Sequence, residues 1–174
     1  GATAGPYTLG DADVGTNIRV VVSYTDGQGT AESLTSAAVG PVTNVNDAPT
    51  GAPVVTGTPT EDQILTANTA TIADADGLGT FSYQWQRNGV DIGGANGSTY
   101  TLADADVGTN VRVVVSYTDG QGTAESLTSA TVGPVANVND APTGAPVVTG
   151  TTTEDQTLTA NTATIADADG LGTF

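Results

Sequence analysis

The sequence contains no cysteine and no histidine, and three arginines stand against 19 acidic residues, with no lysine at all. Without cysteine there is no disulfide framework and no thiolate metal site. The lack of histidine further argues against zinc and copper sites. No basic patch is available to neutralise phosphates, which argues against nucleic acid or an anionic membrane as a partner. No apolar run is long enough to span a bilayer as a helix. A chain without disulfides needs another source of rigidity, and a metal ion is the usual alternative.

What the sequence does contain is a long internal repeat. Residues 1–81 align without a gap to residues 94–174, a shift of 93 positions, and 71 of the 81 pairs are identical. A period of this length suits a whole small domain rather than a solenoid unit. We therefore expect a complete repeat over 48–140, the C-terminal part of a preceding repeat over 1–47 and the N-terminal part of a following repeat over 141–174. The chain is then a window on a longer tandem array.

Within the complete repeat, apolar and polar residues alternate at period two, and no helical stripe appears. The alternation is clearest where Phe81, Tyr83 and Trp85 share one face of a strand. The pattern and its turn signals predict strands over 52–57, 65–73, 81–88, 90–92, 98–102, 110–117 and 124–135. About seven short strands with a tryptophan on the third are typical of an immunoglobulin-like β-sandwich. The predicted fold class is all-β, with one sandwich per repeat.

The alternation also predicts which side chains form the core. We expect a buried core of Phe81, Tyr83, Trp85, Leu102, Val111, Val113 and Val115. A sugar-stacking role for Trp85 is the alternative, and its place in the alternation favours the core. Ile64 is replaced by Thr157 in the following repeat. A core position rarely accepts that change, so we expect Ile64 to face outward and Leu65 inward.

A short polar segment, Asn44–Pro49, returns as Asn137–Pro142. Proline fixes its own φ and favours an extended conformation in the residue before it, so each segment is expected to be a stiff joint between repeats. The two copies are called the first joint and the second joint below.

At this point the sequence resembles a known class of repeats. It is similar to the immunoglobulin-like and cadherin-like repeats of very large bacterial surface and secreted proteins, including adhesins exported by type I secretion. The resemblance rests on Asn44–Pro49, Glu61-Asp62-Gln63, Asp74-Ala75-Asp76-Gly77, Tyr83-Gln84-Trp85, Tyr100-Thr101-Leu102, Asp106-Val107-Gly108 and Tyr117-Thr118-Asp119-Gly120. The chain departs from antibody domains in lacking their cysteines and in one additional residue before the predicted sixth strand. The resemblance implies calcium between neighbouring domains.

The acidic residues point the same way, because strand alternation brings several acidic loops to each joint. Calcium takes six to eight oxygen ligands, which carboxylates, amides and carbonyls can supply. For the first joint we predict ligands from Asp11, Asp13, Asn44, Asn46, Asp47, Asp74 and Asp76. For the second joint we predict Glu61, Asp62, Asp104, Asp106, Asn137, Asn139, Asp140, Asp167 and Asp169. The alternative is that these residues only form turns, which is the favoured interpretation for Asp119. We expect Glu125 and Asp91 to be surface charges.

Three functions compete for such a chain. The first is a structural spacer of a cell-surface adhesin or extracellular filament, stiffened by calcium. Its expected partners are neighbouring repeats, and self-assembly of copies into filaments is the further expectation. The second is a glycan- or protein-binding module, and the third an accessory region of an enzyme. Near identity of adjacent repeats favours the spacer, because a recognition domain is normally a distinct unit and repeated copies set the length. The loops carry no aromatic residues, which argues against the binding module. No motif supports catalysis, so we do not expect an enzyme. No residue pattern in the chain identifies a surface ligand.

Overall fold

The computed structural model describes residues 5–173. Within these residues the chain consists of β-strands, loops and two short 3-10 turns, and it contains no α-helix. The strands are β1 (Val21–Thr25), β2 (Ala31–Thr35), β3 (Val54–Thr56), β4 (Ile64–Asn68), β5 (Ser82–Arg87), β6 (Val90–Asp91), β7 (Thr99–Thr101), β8 (Val111–Thr118), β9 (Ala124–Thr128), β10 (Val147–Thr149) and β11 (Thr159–Asn161). The 3-10 turns are Asp11–Asp13 and Asp104–Asp106. No helix in this part of the chain is long and apolar enough to cross a membrane. The predicted all-β class is confirmed.

Residues 52–140 contain two sheets. One has the strand order β3-β4-β7 and the other the order β6-β5-β8-β9. The first is antiparallel throughout, with Val55 opposite Ala67 and Leu65 opposite Tyr100. Alternate residues are buried on the longest strand, β8: Val111, Val113, Val115 and Tyr117. Because side chains of a strand point alternately to its two faces, each sheet covers the core with one face only.

Trp85 links the two sheets. Its ring on β5 stacks on that of Tyr100 on β7, with centroids 5.8 Å apart. The indole Nε1 donates a hydrogen bond to the Gly97 carbonyl at 2.9 Å, and the side chain is fully buried. The predicted core positions of Trp85, Leu102, Val111, Val113 and Val115 are confirmed.

The other two predicted core aromatics, Phe81 and Tyr83, are only half-buried. Both lie at the start of β5, where fewer neighbours cover a side chain. Phe81 precedes the first residue of the strand, and its ring meets that of Tyr117 edge to face, with centroids 5.4 Å apart. The ring of Phe81 therefore packs mainly on that of Tyr117 and is not fully buried.

The repeat difference at Ile64 indicated the direction of its side chain correctly. Ile64 is 58% exposed, whereas the adjacent Leu65 is fully buried. The outer face of β4 therefore tolerates threonine at this position in the following repeat, because neither side chain there has a core contact to lose.

Two predicted strands end earlier than expected. The strand predicted over 65–73 ends at Asn68, whose side-chain Oδ1 accepts a hydrogen bond from the Ala70 N–H at 2.9 Å. The strand predicted over 124–135 ends at Thr128. There the Ser129 hydroxyl accepts the Val113 N–H at 3.0 Å, in place of a backbone carbonyl. In both places a polar side chain takes over a backbone hydrogen bond and ends the ladder.

The contacts group the chain into two compact units. One combines the described residues up to Gly51 with Thr71–Phe81 and Ser116–Ser126. The other combines Ala52–Ala70, Ser82–Val115 and the described chain from Leu127 onward. The predicted division into repeats at 47/48 and 140/141 follows different borders and stays a prediction. Each joint, together with the acidic loops around it, falls within a single unit.

Candidate metal centre

The second joint is organised around a buried glutamate, Glu61. It lies in the turn before β4, where Asp62 has a φ of 62° and Gln63 donates to the Thr60 carbonyl at 3.1 Å. The Glu61 N–H bonds to the Ala136 carbonyl at 2.9 Å, which fixes the turn against the start of the joint. The side chain is 1% exposed, so this turn directs a carboxylate into the protein rather than into solvent.

The two carboxylate oxygens of Glu61 have different surroundings. Oε2 accepts a hydrogen bond from the Val138 N–H at 3.0 Å. Oε1 is buried and has no hydrogen-bond partner among the described residues. A buried acceptor without a donor costs free energy, and such groups are rare in folded proteins. Glu61 Oε1 is therefore a position where a positive ligand would be stabilised.

Two further carboxylates meet Glu61 at this joint. The Asp140 N–H donates to Asp169 Oδ2 at 2.9 Å, which ties the joint to the loop after β11. The Asp169 N–H in turn bonds to Asp167 Oδ1 at 3.0 Å. One oxygen from each of Glu61, Asp140 and Asp169 lies within 4.8 Å of the other two. Residues far apart in the sequence thus converge on one small volume.

The charges of this cluster oppose one another. The Val138 N–H lowers the pKa of Glu61, but the neighbouring Asp104 carboxyl, burial and the charge of Asp140 together raise it above its usual value. Burial raises the pKa of Asp140, and the charges of Asp104 and Asp169 add to the increase. Two ionised carboxylates cannot hydrogen-bond to each other, so Glu61 and Asp104 repel when both are charged. The cluster therefore favours binding a proton or a cation.

The geometry suits a calcium-sized ion. Oxygens bound to one calcium ion at about 2.3–2.6 Å lie at most about 5 Å from one another, which the separations in the cluster satisfy. Oxygen donors are hard ligands and do not select zinc or copper. Three carboxylates alone leave the coordination incomplete, and backbone carbonyls, water or nearby Asp104 can supply the remaining oxygens.

The other residues predicted for the second joint divide into two groups. Asp62, Asp104 and Asp167 lie near enough to Asp140 for their charges to act on its pKa. Asn137 and Asn139 are exposed, and the Asn139 side chain donates to the Asp140 carbonyl at 2.9 Å.

Asp106 is not brought to this cluster. It is fully buried, and its Oδ1 accepts from Arg87 Nε at 2.7 Å. Its Oδ2 accepts from the Tyr100 hydroxyl at 2.8 Å and from the Ala103 N–H at 3.0 Å. With both oxygens occupied by protein donors, Asp106 has a structural role in this arrangement. Arg87 had no signal in the sequence that would pair it with Asp106.

The first joint repeats part of the same geometry. The Asp47 N–H donates to Asp76 Oδ2 at 2.8 Å, matching the bond from Asp140 to Asp169. The Asp76 N–H bonds to Asp74 Oδ1 at 2.9 Å, and Tyr117 donates its hydroxyl to Asp74 Oδ2 at 2.5 Å. Asn46 donates to Glu125 Oε1 at 2.9 Å. Glu125, expected to be a surface charge, thus contributes to the joint.

The remaining predicted ligands of the first joint lie apart from this set of bonds. Asp13 accepts the Tyr7 hydroxyl, at 3.0 Å and 2.8 Å from its two oxygens, as Asp106 accepts that of Tyr100. Asp11 is exposed and Asn44 is half-buried. Sequence position 61 of the complete repeat has no counterpart before the first joint within these 174 residues. The acidic triad found at the second joint is therefore represented here by Asp47 and Asp76.

Asp119 has the turn role that its Asp-Gly context favoured. Its Oδ1 accepts the N–H groups of Gln121 at 2.9 Å and Thr123 at 2.8 Å. Its burial, with 6% exposure and no partner for Oδ2 among the described residues, had no signal in the sequence.

Comparisons with family models, with curated proteins and with solved structures gave no match for this chain.

Proposed function

We propose that this chain is part of the stalk of an extracellular or cell-surface protein, in which tandem immunoglobulin-like, cadherin-like repeats act as spacers. The all-β fold with two sheets around Trp85 supports a sandwich in each repeat. The near identity of the copies supports a role in setting the length of the protein, since identical units extend a structure without adding new binding surfaces. Each joint ties its linker to the acidic loop that follows, in the same way at both positions.

In this proposal calcium stiffens the joints. The observation that carries it is Glu61: among the described residues no donor reaches its buried Oε1, and one of its carboxylate oxygens lies within 4.8 Å of an oxygen of Asp140 and of Asp169. Those three residues come from the turn before β4, the joint and the loop after β11. A cation held by all three would fix the linker to the repeats on both of its sides. Loss of the cation would leave like charges together and loosen the joint before either sheet unfolds.

The test is calorimetric titration of calcium into the 174-residue chain and into Glu61→Gln. Glutamine keeps the size of the side chain but removes the charge, so we expect calcium affinity at the second joint to fall by at least tenfold. Glu32→Gln is the matched control, because Glu32 is exposed on β2 and its replacement changes the net charge by the same amount. Absence of calcium binding to the unchanged chain, or equal loss in both variants, would show that the acidic residues serve only as turn formers.

A further inference from the structure

Two asparagines of the complete repeat are followed directly by glycine, in the pairs Asn88-Gly89 and Asn96-Gly97. Asparagine is a thermolabile residue, and it reacts most readily before glycine because no Cβ shields the glycine nitrogen. That nitrogen can attack the side-chain carboxamide and close a five-membered succinimide ring. The reaction needs no enzyme and no cofactor, so the conformation around each pair decides whether it takes place.

The first pair is held in place by hydrogen bonds. Asn88 and Gly89 form the two-residue turn between β5 and β6, with φ values of 47° and 84°. Positive φ at both residues is typical of the tightest hairpin turns. The Asn88 N–H donates to the Asn110 carbonyl at 2.8 Å, and Asn88 Oδ1 accepts the Asn110 N–H at 3.0 Å. Ring closure at Asn88 would have to break the side-chain hydrogen bond and distort the turn.

The second pair has no such restraint on its reacting groups. Asn96 is exposed in the loop between β6 and β7. Within residues 5–173, no hydrogen bond involves the Asn96 carboxamide or the Gly97 N–H. The attacking nitrogen and the carbon that it attacks can therefore meet without breaking a hydrogen bond of their own.

Comparison of the repeats shows that the second pair is not part of the repeated pattern. Its counterpart in the preceding repeat is Thr3-Ala4, and four of the ten differences between the repeats fall consecutively at 96–99. A reactive pair at this position is thus a feature of the complete repeat alone among the two copies compared.

The loop that carries Asn96 is tied to the core on both sides of this residue. The Ala95 carbonyl accepts the backbone N–H of Trp85 at 3.0 Å. The Gly97 carbonyl accepts the indole N–H of Trp85 at 2.9 Å. A change in backbone length at Asn96 would therefore act directly on the buried tryptophan.

We propose that Asn96 is a site of spontaneous modification, at which the folded chain forms aspartate and isoaspartate while Asn88 stays intact. The Gly97 nitrogen forms a bond to Cγ of Asn96 and loses its proton. The bond from Cγ to the amide nitrogen breaks, and ammonia leaves with that proton. Water then opens the succinimide: addition at Cγ gives aspartate, and addition at the main-chain carbonyl carbon gives isoaspartate, whose backbone runs through the former side chain.

The two products act differently on the core. Aspartate keeps the backbone and adds one negative charge at an exposed position. Isoaspartate lengthens the backbone by one carbon immediately before Gly97, whose carbonyl holds the Trp85 indole. A buried indole N–H that loses its acceptor destabilises the fold. Since no step restores the amide, the isoaspartate fraction rises with the age of the chain, and old copies carry a weakened core.

The test is incubation of the folded 174-residue chain at mildly alkaline pH, which favours succinimide formation, followed by cleavage after arginine. The peptide Asn88–Arg112 contains both Asn-Gly pairs, so fragmentation mass spectrometry assigns the mass increase to one asparagine or the other. We expect Asn96 to react at least about tenfold faster than Asn88, because only its reacting groups are free to reach each other. Incubation in guanidinium chloride is the control. Unfolding removes the surroundings of both pairs, and their rates should become similar.

Two variants separate the chemistry from its effect on the core. Asn96→Gln keeps an amide but cannot close the five-membered ring, so it should stay unmodified at this position. Asn96→Asp reproduces the aspartate product and its charge, and it should melt and fluoresce like the unchanged chain. The isoaspartate form, separated by chromatography, should melt at a lower temperature, with the emission of Trp85 shifted to longer wavelength.

The outcomes are independent of calcium binding, so they stand whether or not the proposed function holds. Equal rates at the two asparagines of the folded chain would overturn the selection of Asn96. So would an Asn96 that stays intact in the folded chain and reacts only in denaturant. An isoaspartate form with unchanged melting and emission would overturn the effect on Trp85.

Discussion

The two aspartates of Asp104-Ala105-Asp106 have opposite surroundings although one residue separates them. Asp104 is exposed, and its carboxyl raises the pKa values of Glu61 and Asp140. Asp106 is enclosed by donors from Arg87 and Tyr100. The 3-10 turn produces this difference, because with three residues per turn the side chains of residues two apart point to different sides. A motif of two acids at this spacing therefore need not place both at one site.

Replacing Asp106 tests its structural role. Asp106→Ala leaves Arg87 without its partner and removes an acceptor from Tyr100, so we expect a loss of about 2–4 kcal/mol in the free energy of unfolding. Urea denaturation measures the change. Asp104→Ala in chelator is the control and should alter stability by less than about 0.5 kcal/mol, or raise it, because it removes a repelling charge. Equal losses in the two variants would contradict the structural role.

The contribution of Asp119 to the stability of the fold depends on pH in a defined direction. Burial raises the pKa of Asp119, but the N–H groups of Thr123, Gln121 and Gly122 outweigh it and hold the pKa below its usual value. The unfolded chain then binds the proton more readily than the folded chain does. This carboxylate therefore stabilises the fold above the usual aspartate pKa, and its contribution is lost as the pH falls through the lowered value. Asp119→Asn should melt at a lower temperature than the unchanged chain at pH 7, with the difference shrinking in acid. A difference independent of pH would contradict this account.

Among the elements, the contact between β5 and β7 holds the two sheets of the complete repeat together. Trp85→Ala removes the largest fully buried side chain and its stacking on Tyr100. We expect the free energy of unfolding to fall by about 3–5 kcal/mol, the usual cost of such a cavity. Chemical denaturation measures it, with Trp85→Phe as a milder replacement that should lose less. A change below about 1 kcal/mol would show that the two sheets do not depend on this ring.

The centres of these elements could be predicted from the sequence and their ends could not. Alternation identifies β5 and β8 because burial on one face imposes a period of two. The ends of β4 and β9 depend on Asn68 and Ser129, whose side chains bond to backbone groups. The same limit applies to the site. Convergence of Glu61, Asp140 and Asp169 followed from the alternation of strand direction, whereas the capture of Asp106 by Arg87 depends on a contact 19 residues apart in the sequence.

At the scale of the whole molecule, calcium should act on stability and on flexibility together. Ligand that binds only the folded chain adds about 2.7 kcal/mol when it is present at a hundred times its dissociation constant. We expect chelator to lower the melting temperature and to make the chain more flexible in small-angle scattering. Asp169→Ala should reproduce much of this loss in the presence of calcium, while Asp91→Ala, in the edge strand β6, should not. Identical melting and scattering with and without calcium would leave the joints to be stiffened by their prolines alone.

The whole-molecule organisation is where the repeat was most informative. A shift of 93 positions indicated equivalent residues, and the equivalent bonds from Asp47 to Asp76 and from Asp140 to Asp169 follow it. The shift could not indicate that the Glu61 carboxylate is buried at the second joint, because that burial depends on how its turn packs against Ala136 and Val138.

The ties at the second joint also bear on how such an array would respond to pulling. Val138 is held to Glu61 and Asp140 to Asp169, so the linker is fastened at two points a short distance apart. Tension along the polypeptide must pass through this linker to reach the next repeat. Both ties are hydrogen bonds to carboxylates, which are stronger than hydrogen bonds between neutral groups. Two such bonds are still far weaker than the full row of backbone hydrogen bonds between two strands of a sheet. Under load they would open first and re-form on release, so that the array lengthens in small recoverable steps while its sheets stay folded.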